Sequence, residues 1–547
     1  MAENFSEEHK KAVQERSEAI DRILQYAGTK KVVVAGPGTG KSHLFEQFFA
    51  TKPGQKVLTL TFINALVEDL ALALCGISEV RTLHGFALSI FKGRAKLFPA
   101  LPHVIQEDGE ILLGKKVDFT AKICDIDDTD GDLGFYSGRR KYYDRFGYAD
   151  IVLALVKYYE AKPEKIPEYE QIVVDEYQDF NNLEVALIEQ LSQKSPTLIA
   201  GDDDQAIYEF KRSSPKFIRA LHGAGRPDFE AFPLPFCSRS TRVIVEAIND
   251  VITNATKNGF LKDRVDKPYR YFTCPSKDAE SDGNPKIVHK RLQDAQIPWF
   301  IQTELEKMAE QTRKRFDVLV ISPYSSQCER IGSALQRKGF GAVQFKDKKV
   351  VSHPYLDALR FLAEDRKGNL GWRLVAKVML SKDDFAQFIK KTQDGSSDCK
   401  SLLPKPTQTM VLHDLKTFNA ISQGKKPATK DAISLLQRTG YDQESVVQEF
   451  VRSHIGEPPD DGLCSPSVRK IPITVTTVQS SKGLAAEYVF ITNFDERYAG
   501  KGGITDQSIC NFLVALTRAR RKVWLLSTSD KANPLMGWID GQRVETL

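Results

Sequence analysis

The stretch Ala35-Gly36-Pro37-Gly38-Thr39-Gly40-Lys41-Ser42 limits more than any other what this chain can fold into. It follows the apolar run KVVVA (31–35) and leads into SHLFEQFFA (42–50), so it reads as a tight turn from a buried strand into a helix. Glycines let the backbone curl until its N–H groups point at phosphate oxygens, and the start of a helix adds a partial positive charge. Ala35, Gly36, Pro37, Gly38, Thr39, Gly40, Lys41, Ser42 and the adjoining His43 are therefore the candidate phosphate-binding residues. Lys41 is spaced to reach the β- and γ-phosphates of a nucleoside triphosphate, and Ser42 to ligate its Mg²⁺.

A second motif completes that chemistry. QIVVDE (171–176) is another short apolar run, and it ends on Asp175-Glu176. Carboxylates at the C-terminal end of a strand lie at the edge where α/β sheets bind ligands. Asp175 is suited to hold Mg²⁺ through its water shell. Glu176 is suited to orient the attacking water or take its proton.

Other apolar runs fall at 56–62, 197–203, 317–322, 473–478, 488–494 and 522–527. With 31–35 and 171–176 they form two groups of four, each spaced by helical stretches, which predicts two α/β cores with buried parallel strands. Two stretches break the pattern. Residues 92–165 hold five Asp between Asp125 and Asp132, then the aromatic and basic run FYSGRRKYYDRFGYAD. Residues 386–470 are rich in Lys, Gln and Ser and contain the loop signal EPPDDG. Both read as inserted, mostly helical subdomains.

The chain has 547 residues, 41% of them hydrophobic, enough for several cores. Its net charge of +5 is too small to argue nucleic-acid binding from bulk charge, so any basic groove is local. No two of the eight cysteines form a CxxC pair, which argues against a zinc knuckle or an iron–sulfur cluster. The polar N-terminus and the lack of a long apolar run point to a cytoplasmic protein with no membrane contact.

Beyond the phosphate loop and the Asp-Glu pair, further motifs occur in an order that resembles the UvrD/PcrA/Rep-like branch of superfamily-one DNA helicases. Thr61-Phe62-Ile63-Asn64 resembles TFTN, and Thr82-Leu83-His84-Gly85-Phe86 resembles TFHSF. Val174 to Asp179 looks like VDEFQD, and Gly201 to Phe210 looks like GDDDQSIYSW. Arg239-Ser240 stands at the RS of NYRS. Thr476 to Leu484 resembles TIHSAKGL, and Val514 to Arg520 matches VALTRAR.

The resemblance implies an α/β fold of two RecA-like P-loop domains with parallel sheets, each interrupted by a mostly helical subdomain. Residues 1–91 and 166–232 would form the first core, with 92–165 inserted. Residues 233–385 and 471–547 would form the second, with 386–470 inserted. It also implies ATP and Mg²⁺ as cofactors, Gln205 as the γ-phosphate sensor, and Arg239 and Arg518 as arginines clamping the γ-phosphate. Gly483 joins the nucleotide-binding set. Thr61, Phe62, Asn64, Thr82, His84, Tyr208 and Phe210 become candidate contacts to single-stranded or junction DNA, with 3′→5′ movement.

Departures from the family pattern cluster on the nucleoside. His9 stands where a Gln would read adenine, Ser238 where a Tyr would stack, and Ala485 where a Glu would hold the ribose. Only 27 residues follow Arg520, so any nuclease is expected as a separate subunit. Arg139, Arg140 and Lys141 lie among aromatic residues and form a candidate accessory DNA contact. DNA repair, recombination and phage defence are all compatible settings. The competing reading is a DNA-sensing ATPase that recruits a partner without productive unwinding.

Overall fold

The computed structural model describes the chain except residues 1–6, 51–55, 63–77, 92–94, 224–225, 313–314, 347–352, 426–427, 440–463, 466, 497–502, 530 and 532. Six strands form a first sheet: β1 (Lys30–Val34), β2 (Val57–Thr61), β3 (Glu79–Thr82), β4 (Gln171–Val174), β5 (Thr197–Gly201) and β6 (Glu230–Pro233). Their order is β3-β2-β4-β5-β1-β6, and every pairing is parallel. In this register Val34 lies opposite Gly201, and Val174 opposite Ile199. The phosphate loop after β1, Asp175 after β4 and Asp202 after β5 therefore leave the sheet at one edge.

Helix Lys41–Ala50 is held to this sheet by Leu44, Phe45, Phe48 and Phe49, which recur every three to four residues and so share one face. They pack with Val33, Val173 and Leu198. Truncating one of these phenylalanines to Ala would cost about 3–5 kcal/mol, which is what fixes the loop to its strand.

A short pair, β7 (Phe236–Cys237) with β8 (Arg270–Tyr271), precedes the second sheet. That sheet holds β9 (Ile287–Arg291), β10 (Val318–Ser322), β11 (Val343–Phe345), β12 (Ile473–Thr477), β13 (Ala486–Ile491), β14 (Ala519–Ser527) and β15 (Val544–Thr546). The order is β11-β12-β10-β13-β14-β9-β15, again parallel throughout. Fully buried Trp524 stacks on Phe490 with centroids 4.5 Å apart. Two parallel sheets flanked by helices make this an α/β protein with two RecA-like cores.

Both cores belong to one compact unit, residues 1–86, 159–348 and 458–547. A second unit, residues 87–158 and 349–457, holds helices and, among its described residues, one isolated bridge between Leu97 and Phe146. It takes in most of both interruptions of the strand pattern, residues 92–158 and 386–457. It also takes in residues 349–385, which the sequence pattern assigns to the second core. Helices Pro354–Glu364 and Asn369–Met379 account for the difference. Their apolar residues, among them Tyr355, Leu359, Leu362, Leu370, Trp372 and Val375, are buried within this unit.

The second unit corrects one expectation outright. Arg139 is buried, and its guanidinium donates to Asp108 Oδ2 at 2.5 and 2.9 Å, to the Thr392 carbonyl at 2.9 Å and to Tyr143 Oη at 2.5 Å. Arg373 meets the other oxygen of Asp108 at 2.9 Å. A side chain so enclosed has no donor to offer a DNA phosphate. Arg140 lies over the Phe146 ring at 4.0 Å, and Lys141 is exposed.

Candidate nucleotide site and nucleic-acid face

A cavity of about 440 Å³ opens where the phosphate loop faces the second core. It is lined by Pro37, Gly38, Thr39, Gly40, Lys41, Ser42 and His43, by Asp175, Glu176 and Gln205, and by Ser238, Arg239, Gly483 and Arg518. Arg16 and Glu46 complete the lining. The loop is pressed tightly against the second core. A Cβ on Gly36 would lie 2.5 Å from the Tyr269 ring, and one on Gly38 2.6 Å from the Arg239 Cβ. Gly38 also has φ of +71°, a conformation other residues rarely take. Its carbonyl accepts from the Ser238 N–H at 3.1 Å, and the Pro37 carbonyl accepts from Tyr269 Oη at 3.1 Å. Ala35 caps β1, and its carbonyl accepts from Lys41 Nζ at 3.1 Å.

The charges around this cavity are unevenly balanced. Burial, then the neighbouring Glu176, push the Asp175 carboxyl up to about 7. A divalent cation beside it would relieve both effects, so Asp175 and Ser42 fit the Mg²⁺ of a nucleotide. Burial works against ionising Glu176 too, but Lys482 and Lys41 outweigh it and hold that carboxyl down, to about 2. Gln178 donates to Glu176 Oε2 at 2.5 Å and accepts from the Asp202 N–H at 2.9 Å. Glu176 itself sits at φ +56°, in the left-handed region, and lines the same cavity as the loop.

Gln205 and Arg518 join the two cores. Arg518 Nη2 donates to Gln205 Oε1 at 3.0 Å, while Gln205 Nε2 donates to Asp202 Oδ2 at 2.7 Å. Arg518 is otherwise satisfied by the carbonyls of Val514 and Leu484 and by Thr517 Oγ1. Among the described residues no carboxylate pairs with it. Burial, then nearby Arg239, lower it to about 9. Close by, Asp202, Asp203 and Asp204 lie near enough together to hold a cation. Lys267 Nζ already sits among them, at 3.0, 2.5 and 2.7 Å.

An aromatic group lies on the first core beyond Gln205. Tyr208 is buried and donates to the Gln479 carbonyl at 2.8 Å, so it ties the cores together. Its ring is 5.2 Å from Phe62 and 5.9 Å from Phe210. Phe210 is 69% exposed, the profile of a base-stacking platform. Lys211 lies 4.9 Å from the Phe62 and Tyr208 ring centroids. Burial, then Lys211, lower the His84 imidazole to about 4, which leaves it neutral 3.8 Å from Glu184. Thr82 Oγ1 accepts from the Gly85 N–H. Thr61 is fully buried in β2, so its side chain offers nothing to a nucleic acid, contrary to the sequence-based expectation. Asn64 lies outside the described residues.

Residues 132–224 match the family model described as the UvrD/REP helicase N-terminal domain. Over 402 residues the chain is 22% identical to the ATP-dependent DNA helicase PcrA of Staphylococcus aureus, covering 70% of this chain and 50% of that protein. The chain is similar to UvrD/PcrA-like helicases. It is also 28% identical over 234 residues to DNA helicase II of Haemophilus influenzae, covering 40% of this chain and 29% of the other. It spans about half the length of the curated PcrA relatives it matches.

Several residues of this site carry little or no signal in the sequence. Lys482 lies inside the QSSKG motif, yet nothing in the motif says that its ammonium reaches Asp179 at 2.5 Å and Glu176 at 3.5 Å across the cleft. Tyr269 and Lys267 sit in a loop without a motif, and only the fold brings them to the phosphate loop and the Asp triplet. Arg16 lies seven residues after His9 on the helix Glu7–Gln25, two turns along the same face, so helical spacing could have found it. His9 does not line the cavity; its Nδ1 is bonded to the Thr273 carbonyl at 2.6 Å.

Proposed function

We propose that this chain is an ATP-dependent DNA motor: a single-stranded-DNA-stimulated ATPase that translocates and unwinds, moving 3′→5′. The observation that carries this reading is Arg518. It is a buried arginine of the second core without a carboxylate partner among the described residues, and it reaches Gln205 of the first core in the same cavity as Lys41 and Glu176.

In this reading Lys41 and the loop N–H groups hold the β- and γ-phosphates. Mg²⁺, held near Ser42 and Asp175, would neutralise charge on the phosphates. Ionised Glu176 orients the attacking water and takes its proton. Gln205 meets the γ-phosphate and couples it to Arg518. Arg518 and Arg239 stabilise the charge that develops on the transferred group. Both arginines come from the second core, so hydrolysis and release alter how tightly that core is drawn to the first. Tyr208 and Gln479 sit between this machinery and exposed Phe210. A base stacked on Phe210, with Phe62, His84, Thr82 and Lys211 nearby, would feel each cycle. Such a grip is largely independent of sequence.

Strand displacement on duplexes with a 3′ or a 5′ single-stranded tail tests the reading. Unwinding of the 3′-tailed duplex, abolished by Lys41→Ala and by Glu176→Gln, is the expected result. Hydrolysis stimulated by DNA with no displacement on either substrate would favour a DNA-sensing ATPase that recruits a partner, such as a separate nuclease. Proteins that co-purify with the chain would then identify the setting, whether repair, recombination or phage defence.

A further inference from the structure

Lys267 is a buried cation that the proposed hydrolysis does not use. The helix Arg242–Lys257 packs into the apolar core of the second sheet, and the loop after it, residues 258–269, runs back to the first core. There Lys267 Nζ lies 3.0 Å from Asp202, 2.5 Å from Asp203 and 2.7 Å from Asp204. These three carboxylates follow β5 and are buried. Arg264 Nε donates to the Asp204 oxygens at 2.8 and 3.0 Å, and Arg219 Nε to Asp203 at 2.9 Å. The Val265 N–H donates to Asp203 at 2.9 Å. Three carboxylates thus face three cations, so the cluster is balanced in charge.

The three carboxylates are not equivalent. Asp202 also reaches the nucleotide cavity: Lys267 approaches its Oδ1, while its Oδ2 accepts from Gln205 Nε2 at 2.7 Å. Gln205 Oε1 in turn accepts from Arg518 Nη2 at 3.0 Å. Burial works against ionising Asp202, but Lys267, then Lys41, outweigh it and hold the carboxyl below its ordinary value. An ionised carboxylate only accepts, whereas a protonated one would turn a donor on its neighbours. The distinction matters because a Gln amide has a donor end and an acceptor end. With one Nε2 hydrogen on Asp202, the second is available to a phosphate oxygen and Oε1 faces Arg518. An amide released by Asp202 can turn over, and it would then set its N–H₂ against the guanidinium, donor against donor.

We infer that Lys267 is a positioning residue for hydrolysis: by holding the Asp202 carboxylate in place from the second core, it fixes which end of the Gln205 amide faces Arg518 and the γ-phosphate. The inference rests on the proposed role of Gln205 and extends it. The link crosses from one core to the other, so the γ-phosphate is sensed only while the loop at Lys267 stays docked. Arg264 supplies the comparison. It ties the same loop to the same triplet, but through Asp204, whose side chain has no bond to Gln205 among the described residues.

The test compares the intact chain, Lys267→Met and Arg264→Gln, each checked for folding by thermal unfolding. It measures kcat for ATP with saturating single-stranded DNA, and Kd for ADP and for the non-hydrolysable β,γ-imido analogue of ATP. Lys267→Met should lower kcat by about tenfold to a hundredfold, the scale of a misplaced reacting group. It should weaken binding of the triphosphate analogue while the Kd for ADP holds. Arg264→Gln should lower Tm and leave kcat and both Kd values unchanged. In a Gln205→Ala background Lys267→Met should lower kcat no further, because it acts through Gln205. Should Lys267→Met fail to fold, Lys267→Met combined with Asp203→Asn restores the balance of charge and carries the same comparison. An equal loss of kcat in Arg264→Gln, or a full further loss in the Gln205→Ala background, would make Lys267 a clamp between the cores and overturn the inference. An unchanged kcat in Lys267→Met would overturn it as well, and each of these results leaves the nucleotide site intact. An intact chain that hydrolyses no ATP would overturn both the inference and the function it rests on.

Discussion

Two buried arginine clusters in this molecule look alike in burial and differ in balance. In the helical unit, Arg139 and Arg373 share Asp108 between them, with Tyr143 accepting from Arg139 and Glu107 from Arg373. Burial disfavours their charge, but these partners outweigh it and raise both guanidinium pKa values. In the cleft between the cores, Arg518 is as deeply buried, faces Arg239, and is lowered instead. A buried cation matched by a carboxylate holds a fold together. One held by carbonyls, a hydroxyl and an amide, with Glu176 nearby but no carboxylate in direct contact among the described residues, suits an anion that arrives later, in the proposed function the γ-phosphate. Burial alone does not separate a structural from a functional arginine; a directly bonded carboxylate does.

The largest effect that could break this contrast is on turnover. Arg518→Ala should lower DNA-stimulated ATP hydrolysis by about a thousandfold or more while nucleotide binding weakens far less. Near-normal kcat would mean that Arg518 is structural like Arg139, and the contrast would fail.

The mirror experiment is in the helical unit. Asp108→Ala strands two buried guanidinium groups and should cost about 3–5 kcal/mol, read from urea unfolding, with kcat per folded molecule unchanged. A loss below about 1 kcal/mol would show that this cluster is not the counter-charged anchor inferred from its geometry.

A smaller effect sharpens the rule by reversing the sign of the charge. Asp150 is a buried carboxylate in the helical unit that accepts from Tyr136 Oη at 3.1 Å, and burial raises it from 3.8 to about 7 despite Arg140 nearby. A raised folded-state pKa means the stabilising contribution is full below about pH 4 and is lost as pH rises through 7. Asp150→Asn should therefore raise Tm at pH 8, by roughly 2–4 °C for each 1 kcal/mol relieved, and change it little at pH 4. A gain of equal size at both pH values would rule out ionisation as the cause.

The contrast also explains what was legible in the sequence. The eight central strands and the phosphate loop announced themselves, because strands buried on both faces must be continuously apolar. Edge strands β3 (EVRT) and β6 (EAFP) are half-exposed and so carry no such signal. Lys41, Asp175, Glu176, Gln205, Arg239, Gly483 and Arg518 all line one cavity because each is tied to a strand end or a loop of fixed spacing. Arg139 was misjudged because a basic residue among tyrosines reads the same whether it faces solvent or Asp108, and Asp108 is 31 residues away. The union of two insertions into one helical unit depends on contacts such as Arg373 to Asp108, separated by 265 residues, which no local pattern encodes.

The most direct measurement is the steady-state rate of ATP hydrolysis by the intact chain as single-stranded DNA is titrated. The proposed DNA path through Phe210 and Tyr208 to Gln205 and Arg518 predicts a rate that climbs with DNA to a plateau well above the DNA-free value. A rate that stays flat from no DNA to saturating DNA would contradict the account, because the cleft would then hydrolyse nucleotide without sensing the strand it is proposed to move along.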